Sequence, residues 1–405
     1  MNQNHTIPTG TTEPGGRGKK SFAEGRPATV LQVLPSLGVA GGVERGTVEI
    51  AGAIVKAGGR AIVASAGGLR EYDLKRVNAE HVTLPLDTKS PFGIYANIGR
   101  LEKLIRKEGV DIVHARSRAP AWSAYWAAKR TGVPFVTTFH GVYGAQNWFK
   151  RAYNHVMTRG VRVIAISAFI AGHLHRVYGT ASEKIRVIHR GVDLDSFAAE
   201  KVTSHRVVQL AHAWRLEEGL PVVMLPGRLT RLKGHKVFLD AIAKLGRDDI
   251  RCVIVGSEGS GAFRKDLERQ AQKLGIEGVL RIVGASDDMP AAYMLADVVV
   301  SPSIYPEAFG RTIAEAQAMG RPAIATNHGA AREILLENET GWLTPPEDVD
   351  ALAAAIARAL SIVGDARQSL SRKAIANVRD HFSKQAMCEK TLAVYDEVLA
   401  DRDEG

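Results

Sequence analysis

"PVVMLPGRLTRLKGH" (residues 221–235) opens on an apolar run, turns at Gly227 and passes through a basic loop carrying Arg228 and Lys233. A short apolar run bounded by glycine reads as a strand buried on both faces, and the segment from about His235 reads as a helix. The preceding stretch, "RVIHRGVDLDSFAAEKVTSHRVVQLAHAWRL" (residues 186–216), shows neither period clearly. Upstream of it, "TVLQVLPS", "RAIVASAGG", "DIVHARS", "PFVTTFHG" and "VRVIAISA" alternate with amphipathic segments such as "GVERGTVEIAGAIVKAG". Downstream the alternation restarts through "RCVIVGSEG", "VLRIVG", "DVVVSPS" and "PAIATN". Strand, helix, strand, repeated, is the pattern of a parallel sheet covered by helices on both faces. The pause and restart therefore predict an α/β protein of two doubly wound, Rossmann-like domains, residues 28–200 and 201–380, facing a central cleft. A disordered tail (1–27) is expected before them and a terminal amphipathic helix (381–405) after them.

A chain of 405 residues is long enough for two such cores. No apolar run reaches the roughly 18 residues that a membrane span needs, and the first 27 residues lack the apolar centre of a signal peptide, so a cytoplasmic location is expected. Cys252 and Cys388 stand alone, which excludes a disulfide framework and a cysteine-based metal site. The formal charge is +10 and unevenly spread: no acid occurs between Asp111 and Glu183. That stretch holds Arg116, Arg118, Lys150 and Arg151 interleaved with aromatics such as Trp148 and Phe149. It reads either as a solvated basic face over core aromatics or as a surface for an anionic membrane or acceptor. No nucleic-acid recognition pattern accompanies it.

Ligands of such folds bind at the carboxyl ends of the strands, so the loops there carry the chemistry. In "PEAFGRTIAE" (residues 306–315), Glu307 falls in a strand-to-helix loop and Glu315 about two turns into the helix. The two acids flank a helix N-terminus, which favours an anion between hydroxyl-bearing groups, the layout of a nucleoside diphosphate sugar. Arg228 and Lys233 combine a planar fork with a point charge, which suits a diphosphate. Gly41 and Gly42, ahead of the first helix, allow close backbone approach to a phosphate. His140 ends an apolar run in a loop expected to face the cleft. The glycine-rich "GSEGSGAFRKD" (residues 256–266) and the turn through Gly284 are placed on the base or ribose side. Asp193 and Asp195 form a D-x-D pair in the interdomain connection; such tripeptides are common, and the cations already present make a metal redundant, so no metal or cofactor is expected.

Together "GGVERG", "FHG", "GRLTRLKG", "PEAFGRTIAEAQAMGRPAIAT" and "GWLTPPED" resemble glycosyltransferase family 4, retaining enzymes of GT-B fold. Within it, "LPSLGVAGGVERG" and "HGVYGAQNWFKRAYNHVMTRGVRVIAIS" look most like the lipopolysaccharide-core mannosyltransferases of rhizobia. The resemblance implies that Arg228 and Lys233 hold the donor diphosphate, helped by the backbone at Gly42, Phe309, Gly310 and Arg311. It further implies that Glu315 binds ribose, that Glu307 and His140 contact the transferring hexose, and that the last helix crosses back onto the first domain. A lipid-linked acceptor at the cytosolic face of the inner membrane follows as an expectation. Rival readings are a UDP-glucose or UDP-galactose transferase for exopolysaccharide or glycolipid, an NDP-sugar epimerase, and a non-catalytic sugar-nucleotide sensor.

Overall fold

The computed structural model describes residues 20–23, 28–38, 42–144, 147–259 and 261–404. The strands β1 (Thr29–Val33), β2 (Arg60–Ser65), β3 (Glu80–Thr83), β4 (Ile112–Ala115), β5 (Phe135–Phe139), β6 (Arg162–Ala165) and β7 (Ile185–Val187) form one sheet. A second sheet contains β8 (Val222–Pro226), β9 (Arg251–Val255), β10 (Leu280–Gly284), β11 (Val298–Ser301), β12 (Ala323–Thr326) and β13 (Gly341–Thr344). Their orders are β3-β2-β1-β4-β5-β6-β7 and β10-β9-β8-β11-β12-β13, and the paired strands run parallel. Helices on both faces bury β1, β4, β5, β8 and β11, which is why these strands read as unbroken apolar runs. In each sheet the winding reverses beside its first strand, between β1 and β4 and between β8 and β11. Crevices open at those two points.

The helix Lys384–Glu404 packs against the helix Gly42–Lys56 on the first sheet, burying Met387, Val394, Tyr395, Val398 and Leu399. The Tyr395 hydroxyl lies 2.7 Å from His114 Nδ1, and the other ring nitrogen of His114 lies 2.7 Å from Thr138 Oγ1. Arg162 pairs with Glu397 at 2.8 Å. The two crossings between the sheets run side by side: Val192 N–H donates to Phe382 O and Lys384 N–H to Val192 O, both at 2.8 Å. Glu333 adds a second bridge between the domains. Its carboxylate accepts the backbone N–H groups of Ala168 and Phe169, at the start of the helix Ala168–Tyr178, and lies 2.7 Å from His189 Nε2.

The reading of residues 1–27 as a disordered tail is corrected in part. Residues 1–19 and 24–27 lie outside those described, but residues 20–23 are docked. Phe22 is buried against Tyr395, its N–H donates to Asp396 at 2.6 Å, and Lys20 pairs with Asp111 at 2.7 Å. An apolar side chain with a groove beside the last helix does not stay in water.

Candidate active site

The loops after β8 and β11 meet at the second crevice. After β8 the chain makes a single turn of 3-10 helix, Arg231–Lys233, and starts the helix His235–Leu245 at Gly234. Lys233 Nζ donates to Glu307 Oε1 at 2.7 Å, joining the two loops, and Ile304 N–H donates to Leu232 O at 3.0 Å. The hydroxyls of Ser303 and Ser301 also donate to Glu307. Burial alone would raise the Glu307 carboxyl, but the Lys233 charge and these donors hold it below its ordinary value. Glu307 is therefore a carboxylate at neutral pH, able to accept hydrogen bonds and unable to donate a proton. Arg228, in the same loop as Lys233, is exposed, with no hydrogen bond from its guanidinium among the described residues.

Gly310 sits at φ +90° and caps the helix Arg311–Ala318, so the chain turns sharply between the two acids. Glu315 is buried one turn in and accepts a hydrogen bond from the Tyr293 hydroxyl at 3.1 Å. Burial raises its pKa against the opposing charges of Arg311 and Arg45. A cavity of about 890 Å³ reaches Glu315 and is walled by Arg45, Phe197, Asp288 and Met289. That volume is of the size small-molecule sites use. Gly284 ends β10 at φ +77°, its carbonyl accepting Gly256 N–H at 2.7 Å. Phe309 is buried between the domains beside His189 and Phe382.

The first crevice lies opposite. Gly42 begins the helix Gly42–Lys56, whereas Gly41 lies outside the described residues. His140 directly follows β5, Arg116 follows β4, and Arg190 comes three residues after β7. Arg190 donates to Gly42 O at 2.8 Å and to His140 Nδ1 at 3.0 Å. An arginine only donates, so Nδ1 is the acceptor and Nε2 carries the proton of His140. Burial and the neighbouring arginines hold that ring neutral, and Nε2 has no partner among the described residues. Burial, with the like charges of Arg116 and Arg311, pulls Arg190 down to about 9.

Arg116 does not lie on an exposed, membrane-facing surface, which corrects that expectation. It is only 4% exposed. Strand residues alternate sides, and Ile112, His114 and Arg116 share the side covered by the helices Gly42–Lys56 and Lys384–Glu404. Arg118 is half-buried as well, 4.3 Å from the ring centre of Tyr143 and donating to Asn154. Trp148 and Phe149 are 69% and 66% exposed and stacked on one another, with Lys150 and Arg151 exposed next to them on the helix Trp148–Asn154. Asp193 and Asp195 do not act as a pair: the first binds Lys384 at 3.0 Å and the second Lys201 at 3.1 Å. Among the described residues no cluster of three or more His, Cys, Asp or Glu side chains could hold a metal ion.

Sequence reasoning missed Arg190, Tyr293, Ser301, Ser303 and Glu333. The serines could have been found from their spacing to Glu307 in "SPSIYPE". Arg190 and Glu333 carried no local signal, because Arg190 acts on residues 50 and 148 positions earlier in the chain and Glu333 on the other domain.

Residues 40–196 match the family described as Glycosyltransferase Family 4, and residues 210–377 match Glycosyl transferases group 1. The D-inositol 3-phosphate glycosyltransferase of Salinispora tropica is 30% identical over 329 residues, 76% of this chain and 68% of that one. A crystal structure of a glycosyltransferase from Rickettsia africae superposes with a TM-score of 0.86 at 39% identity, covering 92% of this chain and 99% of that one. Anabaena HepE in complex with UDP-glucose superposes with a TM-score of 0.78 at 22% identity, over 91% and 99% of the chains, a likeness of fold. The curated relative carries inositol phosphate in its name rather than a lipopolysaccharide acceptor.

Proposed function

The chain belongs to the family 4 glycosyltransferases, enzymes of GT-B fold, and from that premise we propose that it moves a hexose, mannose foremost, from a nucleoside diphosphate sugar to a lipopolysaccharide core or related envelope glycan with retention of configuration. The observation that carries this reading is the Lys233–Glu307 pair at the crevice beside β8 and β11. Breaking a glycosyl phosphate bond builds negative charge on the departing diphosphate, where Lys233, Arg228 and the N-terminus of the helix Arg311–Ala318 would stabilise it. Glu307, freed from Lys233 by the diphosphate, would accept from sugar hydroxyls, and the Nε2–H of His140 would donate to them from the other domain. Glu307 is ionised and cannot protonate the leaving group, so the departing phosphate oxygen itself takes the acceptor proton on the face from which it leaves. Glu315 lies where ribose hydroxyls would reach it.

Two acids with different tasks should separate kinetically. Glu315→Ala should raise KM for the donor roughly tenfold with kcat little changed, the scale of hydrogen bonds to a charged group made equally in ground and transition states. Glu307→Gln should lower kcat by a similar factor and leave KM. Initial rates over a donor series read both; the reverse pattern would exchange the two roles.

The relatives' name favours a second reading, in which the acceptor is an inositol phosphate. Nucleotide diphosphate release decides between them, measured with GDP-mannose, UDP-glucose, UDP-galactose and UDP-N-acetylglucosamine against an envelope extract or inositol phosphate. We expect release from GDP-mannose with the extract, undiminished by excess EDTA because fixed cations replace a metal. Release that requires inositol phosphate, or that EDTA abolishes, removes the corresponding part of the proposal.

No helix among the described residues is long and apolar enough to cross a membrane. A lipid-linked acceptor would instead be met by docking the first domain on an anionic bilayer, through the stacked Trp148 and Phe149 and the exposed Lys150 and Arg151. Each basic residue near such a surface contributes about 1 kcal/mol. Sedimentation with vesicles should show binding to anionic but not neutral lipid, weakened several-fold in a Lys150→Glu, Arg151→Glu double variant. Equal binding of variant and wild type would leave this helix a solvated surface.

A further inference from the structure

Arg116 and Arg190 are both nine-tenths or more buried, and among the described residues no acid accepts a hydrogen bond from either. The guanidinium of Arg116 makes no hydrogen bond among the described residues, and its Nε is fully enclosed without a partner. Arg190 uses two of its five N–H donors, on a carbonyl and a neutral histidine. Both guanidiniums converge on Gly46 in the helix Gly42–Lys56: a Cβ there would lie 2.5 Å from Arg190 Nη1 and 3.1 Å from Arg116 Nη2. From the other domain, Arg311 comes within 3.6 Å of where a Cβ on Gly42 would stand. The acid beside them, Glu49, accepts from Arg45 at 3.0 Å through Oε1, and its Oε2 is buried without a hydrogen-bond partner among the described residues, so one carboxylate faces more than one buried cation.

A folded chain keeps buried cations together and unpaired only at a cost, which an anion arriving from outside would offset. An anion carried by the acceptor would reach the cluster from the side that the nucleotide leaves open. The diphosphate already has Arg228 and Lys233 across the cleft, whereas this cluster stands at the carboxyl ends of β4 and β7, next to His140.

We propose that Arg116 and Arg190, with Arg311 closing over them, receive a carboxylate or phosphate group carried by the sugar acceptor. Two forks brought together from the loops after β4 and β7 suit a planar carboxylate or two oxygens of a phosphate. A neutral acceptor of the same shape would leave both cations unpaired and be rejected. This inference rests on the transferase reading above.

The test is calorimetric titration of the full chain, saturated with a nucleoside diphosphate, with glucuronate, glucose 6-phosphate and glucose. The wild type should bind at least one charged sugar ten or more times more tightly than glucose, and which one it prefers assigns the carboxylate or the phosphate. Arg116→Met should abolish the preference while melting no lower than the wild type, because it removes a buried charge that no hydrogen bond satisfies among the described residues. Should Arg116→Met not fold, Arg190→Gln reads the same site. Charged sugars binding no better than glucose, or the preference surviving either substitution, overturns the inference. Competition between the charged sugar and the nucleotide also overturns it, since the anion would then occupy the diphosphate site. Failure of the transferase reading is distinguished by the nucleotide: a wild type that binds none fails there first.

Discussion

Lys233→Ala is expected to lower kcat about 10² to 10³-fold, the scale on which loss of one fixed donor to a developing anion is felt. The lysine is a quarter exposed and 2.7 Å from Glu307, so its loss also strips a buried carboxylate of its counter-charge. Burial would then govern Glu307 and push its pKa upward, because Lys233 is the largest influence now holding it down. Two consequences separate this account from simple damage. The Lys233→Ala, Glu307→Gln double variant should be little slower than Lys233→Ala, since the two groups act as one unit and their effects do not add. Stability should also change in its pH dependence. Glu307 sits below its ordinary 4.5, so the pair stabilises the fold fully above that pH and loses its contribution as pH falls through the lowered value. In Lys233→Ala that acid-side loss should largely vanish. Thermal unfolding from pH 3 to 7, with steady-state rates at pH 7, measures both; near-wild-type turnover would remove Lys233 from the diphosphate.

What the sequence disclosed follows from where its signals are local. β8 and β11 are buried on both faces, so "VVMLP" and "VVVS" are legible without any partner. Gly227 to Lys233 and Glu307 to Arg311 are legible for a related reason, since a loop at a buried strand's carboxyl end that carries charge has few structural reasons to do so. Arg116 shows the opposite case. Its place inside depends on strand parity and on the helix Lys384–Glu404 covering that side, almost 270 residues away in the chain. From sequence it is indistinguishable from the exposed Lys150 and Arg151. Arg190 and Glu333 are similar: Arg190 meets Gly42 and His140 only once the first sheet is assembled, and Glu333 meets its partners only once the two domains are. Phe22 was hidden by its polar, glycine-rich neighbours, whose composition outweighed one apolar side chain.

Gly234→Ala should disable the enzyme through geometry alone. Gly234 stands at φ +71°, and a Cβ on it would lie 1.8 Å from the carbonyl oxygen of Pro302. The left-handed backbone costs a residue with a side chain about 1 to 2 kcal/mol. The overlap is with backbone, so no rotamer relieves it, and the loop after β8 must separate from the loop after β11. Those loops are the ones that Ile304 N–H to Leu232 O and Lys233 to Glu307 hold together. We expect a loss of about 2 to 4 kcal/mol in stability, within the tail of single substitutions that strain the backbone. Turnover should fall by about 10² or more, because a displacement of about 1 Å in positioning groups costs on that order. Gly246 supplies the control. It caps the same helix at its other end, at φ +63°, and a Cβ there would meet nothing within 4 Å. Gly246→Ala carries the backbone penalty without the clash, so it should lose only about 1 to 2 kcal/mol and keep its kcat. Thermal melts and initial rates on both variants make the comparison, and a Gly234→Ala enzyme indistinguishable from Gly246→Ala would show that catalysis does not depend on the contact between these two loops.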